Sequence, residues 1–356
     1  SIKFRHLKII IIKKETSKMS NNLPLISFGV IADMHYLDTD NGSNFDKTKI
    51  RRFRQSLSIL KEANKSFQKN HFNITLGDIL DGRAKTLGME ISCLETIQEE
   101  LKKYNDSNWY YTLGNHEFYN FNRLQIYDNL FPSYIQNICP VNRLYYSFIP
   151  VAGYRCIVLD GYEISTIGAI TPEYQQYAED LIRARNHNYA AGSNDWLHNL
   201  APENLRYLPF NGGVTNEQLE WLKSELKLAI ENHEKCIIFS HMALYAPASQ
   251  EQNVIFNCEE ILSILHSTPP NTVLLCIAGH DHDGGYAVDT HGIHHMVPCS
   301  PIECDEGEVS YGSIHIFSNE IHVDWKGKVP QRIWSEKIPI VDERYFNENN
   351  TTTITI

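Results

Sequence analysis

Five short stretches of the chain gather residue types that bind divalent metal ions. They are Asp33-Met34-His35, Gly77-Asp78-Ile79-Leu80-Asp81, Gly114-Asn115-His116-Glu117, Ser240-His241 and Gly279-His280-Asp281-His282. One such stretch alone is weak evidence, because a single histidine is more often a packed residue than a ligand. Each of the five, however, ends an apolar run that reads as a β-strand, and coincidence at five strand ends is improbable. Carboxylate, imidazole and amide oxygen together suit borderline divalent ions such as Mn²⁺, Fe²⁺ or Zn²⁺. An ion held this way polarises phosphoryl oxygens and lowers the pKa of its water.

The elements that must position these residues follow from periodicity. Leu25 to Ala32, Phe72 to Leu76 and Trp109 to Leu113 read as strands. They alternate with helices, one from Ile50 with apolar residues at 50, 53, 57, 60 and 67, and one near 88–103. That alternation implies parallel βαβ units, whose ligands bind at the carboxyl ends of the strands. Tyr145 to Pro150 and Arg155 to Leu159 read as a hairpin, and residues 161–213 as a long irregular segment. Thr215 opens a helix with a capping-box pattern ending at Gln218, its apolar face formed by Leu219, Leu222, Leu226 and Ile230. Strands follow at Lys235 to Ser240 and Thr272 to Ala278, separated by a helix near 258–266. Short strands near 286–289, 293–297, 311–317 and 320–325 suggest a second, antiparallel sheet. Gly77, Gly114 and Gly279 are expected to let the chain turn sharply off three of the strands. The expected architecture is one domain over residues 23–340 with two sheets packed face to face. A disordered basic leader, residues 1–22, is expected to precede it, with Met19 a candidate start. An Asn/Thr-rich segment, residues 341–356, reads as a mobile tail.

Composition narrows the partners. The chain has 356 residues and a formal net charge of -11, which disfavours nucleic acid as a partner. No apolar stretch approaches the roughly 20 residues of a membrane span. The eight cysteines form no C-x-x-C pair, and three of them sit inside apolar runs. That pattern points to a reducing, cytoplasmic setting.

Taken in order, D-x-H, G-D-x-x-D, G-N-H-E, H and G-H-x-H are the signature of the calcineurin-like metallophosphoesterases, which this sequence resembles over roughly residues 26–325. The resemblance implies the metallophosphoesterase αββα sandwich, an α/β fold of two packed mixed sheets flanked by helices, and a two-metal centre. It implies that Asp33, His35 and His282 hold one ion, that Asn115, His241 and His280 hold the other, and that Asp78 bridges them. Further stretches look like the manganese-dependent ADP-ribose/CDP-alcohol diphosphatases. They are Gly114-Asn-His-Glu-Phe-Tyr-Asn-Phe121, Phe210-Asn-Gly-Gly213 with Glu217-Gln-Leu-Glu-Trp-Leu222, His280-Asp-His-Asp-Gly-Gly-Tyr286 and Gly327-Lys-Val-Pro-Gln-Arg-Ile333. Gly42-Ser-Asn-Phe45 matches the loop whose Phe faces the nucleoside base. That family usually carries Gln at the second position of the first motif, where this chain has His35, the general ligand of the superfamily.

The resemblance implies a hydrolase that cleaves the pyrophosphate of ADP-ribose or of CDP-alcohols such as CDP-choline, using a hydroxide shared by two ions. Mn²⁺ leads as the metal, with Zn²⁺, Fe²⁺ and Mg²⁺ as alternatives. The partner would be a nucleoside-diphosphate-linked small molecule, handled by a monomer. His116 would stabilise or protonate the leaving oxygen, and Asp81 would hold its ring in one orientation, serve as a helix N-cap, or do both. Phe45 would stack on the base, Asn115 and His116 would touch the substrate, and Arg83 would contact a phosphate. Phe210-Asn-Gly-Gly213 would shape a loop over the site. The rivals are a phosphodiesterase acting on cyclic nucleotides with the same centre, and a non-catalytic scaffold.

Overall fold

The computed structural model describes residues 23–44, 46–104, 108–330 and 337–339. Phe45, the leader 1–22 and the tail 341–356 lie outside the described residues. Strands β1 (Ile26–Ile31), β2 (Phe72–Thr75) and β3 (Asn108–Tyr111) pair in parallel. Between them run α1 (Phe53–Ser66) and α2 (Glu90–Leu101). Helix α1 begins one turn later than the apolar spacing suggests, and Ile50 lies exposed in a short strand before it. Strands β4 (Tyr146–Val151) and β5 (Tyr154–Val158) form the expected hairpin. Alongside β5, β6 (Lys235–Ser240) and β7 (Val273–Ala278) run parallel. Strands β1, β6 and β7 are buried almost throughout, as parallel strands covered on both faces must be.

The last strands correct the sequence reading. They do not form a sheet of their own but divide between two. Strands β8 (Gly285–Val288) and β9 (His294–Val297) extend the β7 edge, β9 running parallel to β7. Strands β10 (Ser310–Ile316), β11 (Glu320–Gly327) and β12 (Lys337–Pro339) add antiparallel to β1. The result is two six-stranded mixed sheets, of order β12-β11-β10-β1-β2-β3 and β8-β9-β7-β6-β5-β4. Each open edge carries unpaired backbone groups that must find partners, and alternation along a strand does not say which edge it will join.

The sheets meet through aromatic rings. Phe28 of β1 lies 5.8 Å from Phe239 of β6, and Phe72 of β2 lies 5.2 Å from Phe148 of β4, centroid to centroid. Both pairs are edge-on, a favoured aromatic geometry. The face-to-face packing expected from sequence is therefore present.

The 161–213 segment is more ordered than its sequence suggests. It contains α4, which follows α3 (Asn115–Asn120) among the labelled helices and spans Pro172–Arg185. Thr171 caps α4 and Pro172 occupies its first turn. Its apolar stripe is thin, with only Ala178 and Ile182 buried, against Ile164 and Phe256. Ile164–Ser165 pairs with Gly212–Gly213 and pins the two ends of the excursion together. In α5 (Asn216–Glu231) Thr215 caps as expected, accepting from the Gln218 N–H. The Gln218 amide does not return to Thr215; it bonds the backbone of Asp160 and the Glu163 carboxylate. Ile230 is exposed, and Ala229 takes its place on the buried face. Helix α6 (Cys258–His266) precedes β7. Among the described residues no helix is long and apolar enough to cross a membrane.

Candidate metal centre

All five stretches lie at the carboxyl ends of β1, β2, β3, β6 and β7, so both sheets deliver side chains to one edge of the sandwich. The backbone there is contorted. Asp33, His35, Asp78 and His280 have φ values of 47°, 44°, 51° and 68°, in the left-handed region. Asp and His tolerate that region better than most residues. Backbone bonds hold the loops to one another. The Asp33 N–H reaches Gly77 O at 3.2 Å, His35 N–H reaches Asp78 O at 2.8 Å, and Gly279 N–H reaches His241 O at 2.8 Å. Of the three glycines expected to turn the chain, only Gly77 has a positive φ, 91°. Gly114 serves close approach instead: a Cβ there would lie 2.1 Å from Asp78 Oδ1.

Hydrogen-bond partners assign the imidazole tautomers. His241 Nδ1 donates to Leu76 O at 2.7 Å, leaving Nε2 for a ligand. His282 Nδ1 donates to Glu303 Oε1 at 2.8 Å, again leaving Nε2. His280 Nε2 donates to Asn211 Oδ1 at 2.8 Å, leaving Nδ1. His35 Nδ1 faces His116 Nδ1 at 3.2 Å, leaving its Nε2. The four remaining nitrogens converge in two pairs, His35 Nε2 with His282 Nε2 and His241 Nε2 with His280 Nδ1, each 3.1 Å apart. Asp78 Oδ2 stands 3.5 Å from His35 Nε2 and 3.5 Å from His241 Nε2, between the pairs. Asp33 joins the first group, with Oδ1 3.9 Å from His282 Nε2. The ligand atoms of Asp33, His35 and His282, and those of Asp78, His241 and His280, all fall within 4.8 Å of one another in each group. Such paired, converging lone pairs around a central carboxylate fit two divalent ions, and second-sphere partners already fix each ring.

The electrostatics agree. Burial pushes the Asp33 carboxyl up to about 6, against the pull of His241 and His282. Burial also works against a charged Asp78, but the surrounding imidazoles, the protonated His241 among them, outweigh it and hold that carboxyl well below the usual range. His241 is the reverse case: burial would lower it, yet Asp78 and Asp33 raise it to about 9. Burial and neighbouring imidazoles depress His35 and His280, which are therefore neutral.

The remaining expected site residues divide. Asn115 is buried at the start of α3, with its Oδ1 3.5 Å from the Tyr162 hydroxyl. His116 follows it, and its backbone N–H donates to Asp78 Oδ1 at 2.8 Å. The expected Asp81–His116 bond is not made. His116 Nδ1 accepts from the Gly82 N–H at 2.6 Å, whereas Asp81 Oδ1 accepts from the backbone and side chain of Arg83. Asp81 thus closes a turn, its short side chain bonding two residues onward, and it does not cap a helix either: the next helix, α2, has Met89 at its N-cap. Arg83, pinned by Asp81, lies over the Phe53 ring at 4.5 Å and is half exposed. Three supports were absent from the sequence reading. Glu117 accepts from the backbone N–H groups of Asp78, Ile79 and Gly114, clasping two ligand loops. Asn211, inside the expected Phe210–Gly213 loop, sets His280. Glu303, which no motif marks, sets His282.

The calcineurin-like phosphoesterase family model matches residues 26–284. The manganese-dependent ADP-ribose/CDP-alcohol diphosphatase of Mus musculus is 32% identical over 330 residues, covering 88% of this chain and 94% of that protein. The protein of the same name from Arabidopsis thaliana is 32% identical, covering 84% and 93%. A crystal structure of a dimetal phosphatase from Danio rerio superposes with a TM-score of 0.78 at 28% identity, covering 89% of this chain and 99% of that one.

Proposed function

The chain belongs to the calcineurin-like phosphoesterase family, and we propose that its site hydrolyses the pyrophosphate bond of ADP-ribose and of CDP-alcohols such as CDP-choline, giving a nucleoside monophosphate and a phosphorylated partner. The observation that carries this reading is the pair of converging imidazole lone pairs with Asp78 Oδ2 between them. Relatives at about a third identity are named for manganese-dependent cleavage of these substrates, which supports both the substrate class and Mn²⁺. In this reading Asp33, His35 and His282 hold one ion, Asn115, His241 and His280 the other, and Asp78 both. Two such ions, when bound, activate water and draw charge from the phosphoryl oxygens.

The chain's own residues supply the rest. Burial depresses His116, so its ring is neutral. Its Nδ1 accepts from Gly82, which places the proton on Nε2. That N–H donates a hydrogen bond to the oxygen of the departing phosphate as the P–O bond breaks and stabilises its growing negative charge, the proton staying on the neutral ring. Phe45 stacks on the base, and Arg83 swings from Asp81 to a phosphate oxygen.

All eight cysteines are buried and unpaired, which supports a reducing, cytoplasmic setting. Every residue proposed as a ligand comes from this one chain, in keeping with a working monomer. The net charge of -11 speaks against nucleic acid as substrate. The test is metal-stripped protein reloaded singly with Mn²⁺, Mg²⁺, Zn²⁺ or Fe²⁺ and offered ADP-ribose, CDP-choline and cyclic AMP. Turnover of ADP-ribose or CDP-choline, best with Mn²⁺, is expected. Hydrolysis of cyclic AMP alone would replace this reading with a cyclic-nucleotide phosphodiesterase.

A further inference from the structure

A second convergence of imidazole and carboxylate lies at the turn between β8 and β9 and shares no residue with the centre described above. Asp289 directly follows β8. Its Oδ1 accepts the backbone N–H groups of His291 and Ile293, each at 2.9 Å. Its Oδ2 faces Nε2 of His266 at 2.8 Å and Nε2 of His295 at 3.1 Å. His266 is the last residue of α6, and His295 lies within β9. His291 sits exposed on the turn, its ring stacked on that of His266 with centroids 3.7 Å and planes 13° apart.

We propose that His266, Asp289 and His291 form a third cation site, open to solvent, that takes a borderline divalent ion such as Zn²⁺. Each residue offers one ligand atom, and the three atoms lie within 4.8 Å of one another. Donors around a tetrahedral zinc, bonded at about 2.0–2.2 Å, stand roughly 3.3 Å apart, so side-chain rotation alone brings these three into place. Two imidazoles and a carboxylate are a donor set that such ions favour over Mg²⁺ or Ca²⁺. The orienting contacts are present before any ion arrives: two backbone amides fix the Asp289 carboxylate, and His295 holds its second oxygen from the buried side. The exposed face leaves a position for water. The ion would tie the end of α6 to the β8–β9 turn, at the edge of the second sheet.

The test uses the full chain, stripped of metal and then dialysed against excess free Zn²⁺, with metal content and melting temperature as readouts. Wild type should hold three ions per chain. His291→Ala and His266→Asn, both at solvent-accessible positions, should each hold two, and should lose the part of the zinc-induced rise in melting temperature that the third ion supplies. Circular dichroism verifies that each variant is folded, and either variant alone decides the outcome. Equal zinc content in wild type and a folded variant would overturn the proposal and leave the cluster as a hydrogen-bonded latch.

Discussion

Glu303 offers the sharpest test of how the centre is held. Its carboxylate is almost fully buried, 3% exposed, and accepts from His282 Nδ1 at 2.8 Å. Lys49 lies 3.0 Å from its other oxygen, and Arg51 Nε lies 3.6 Å away. Burial opposes its charge, but His282 and Lys49 prevail and hold the carboxyl well below the usual range. Glu303→Ala removes the group that keeps the proton on His282 Nδ1, so the ring can flip or present the wrong tautomer. A hydrogen bond to a charged group contributes about 1.5–3 kcal/mol. Loss of a second-sphere partner of this kind typically lowers metal affinity about 10–100-fold, or roughly 1.4–2.8 kcal/mol. The two scales agree, and the expectation is a shift of that size in the metal concentration giving half-maximal activity. Glu303→Gln keeps an acceptor oxygen and should shift the curve less. Lys49→Ala leaves the bond to His282 intact and serves as the control for charge alone. The assay is metal titration of stripped protein, read both as activity and as bound metal. A folded Glu303→Ala protein with a wild-type metal curve would refute the argument that this bond positions His282.

Three further outcomes follow from the geometry. Asp78→Ala, with Asp78→Asn as the milder companion, should abolish activity and lower the content of both ions; a variant keeping two ions and near-normal turnover would remove Asp78 from the bridging role. His116→Ala should keep its metal and lose about 10²–10³-fold in rate, the scale of a lost donor to a developing negative charge; loss of metal would make His116 a ligand instead. The raised pKa of His241 means that the metal-free protein carries a proton there up to about pH 9, which an incoming ion must displace. Metal affinity should therefore climb as pH rises from about the ordinary 6.5 towards 9, while the stability that this proton gives the metal-free fold, full below 6.5, is lost over the same window. Calorimetry in buffers of different ionisation heat tests this, and identical heats in every buffer would contradict it.

What could be read from sequence and what could not separates along one physical line. Strand β6 and helix α6 begin and end where their apolar runs do, because a buried strand and an amphipathic helix are local patterns. The ligands were legible for the same reason, each being tied to the end of such a strand. Helix α4 was not, since its buried stripe is two residues wide and packs on a small satellite core. The assignment of β10 and β11 to the β1 edge depends on pairing across the chain, Ile26 opposite Ile316, which alternation cannot encode. The supports of the centre escaped similarly. Asn211 stands 69 positions before His280, and Glu303 stands 21 after His282, with no spacing rule linking either pair. Asp81 shows the converse: its place three residues after Asp78 suggested a bond to His116, but the nearer backbone amide of Gly82 took the ring's Nδ1.

The left-handed backbone at Asp33, His35, Asp78 and His280 restricts which amino acids can ever occupy the centre. An ordinary side chain in that region costs roughly 1–2 kcal/mol, whereas Asn and Asp enter it readily. Substitution matrices rank Asp→Glu as gentle, yet at positions 33 and 78 it combines a longer arm with a backbone that glutamate resists. Asp→Asn keeps the chain path and removes the charge, exchanging one acceptor oxygen for an amide donor. The route by which this centre could drift towards other metals thus runs through a small alphabet of Asp, Asn and His. Laboratory evolution limited to those letters at the four positions would sample the folded variants that a full library mostly wastes.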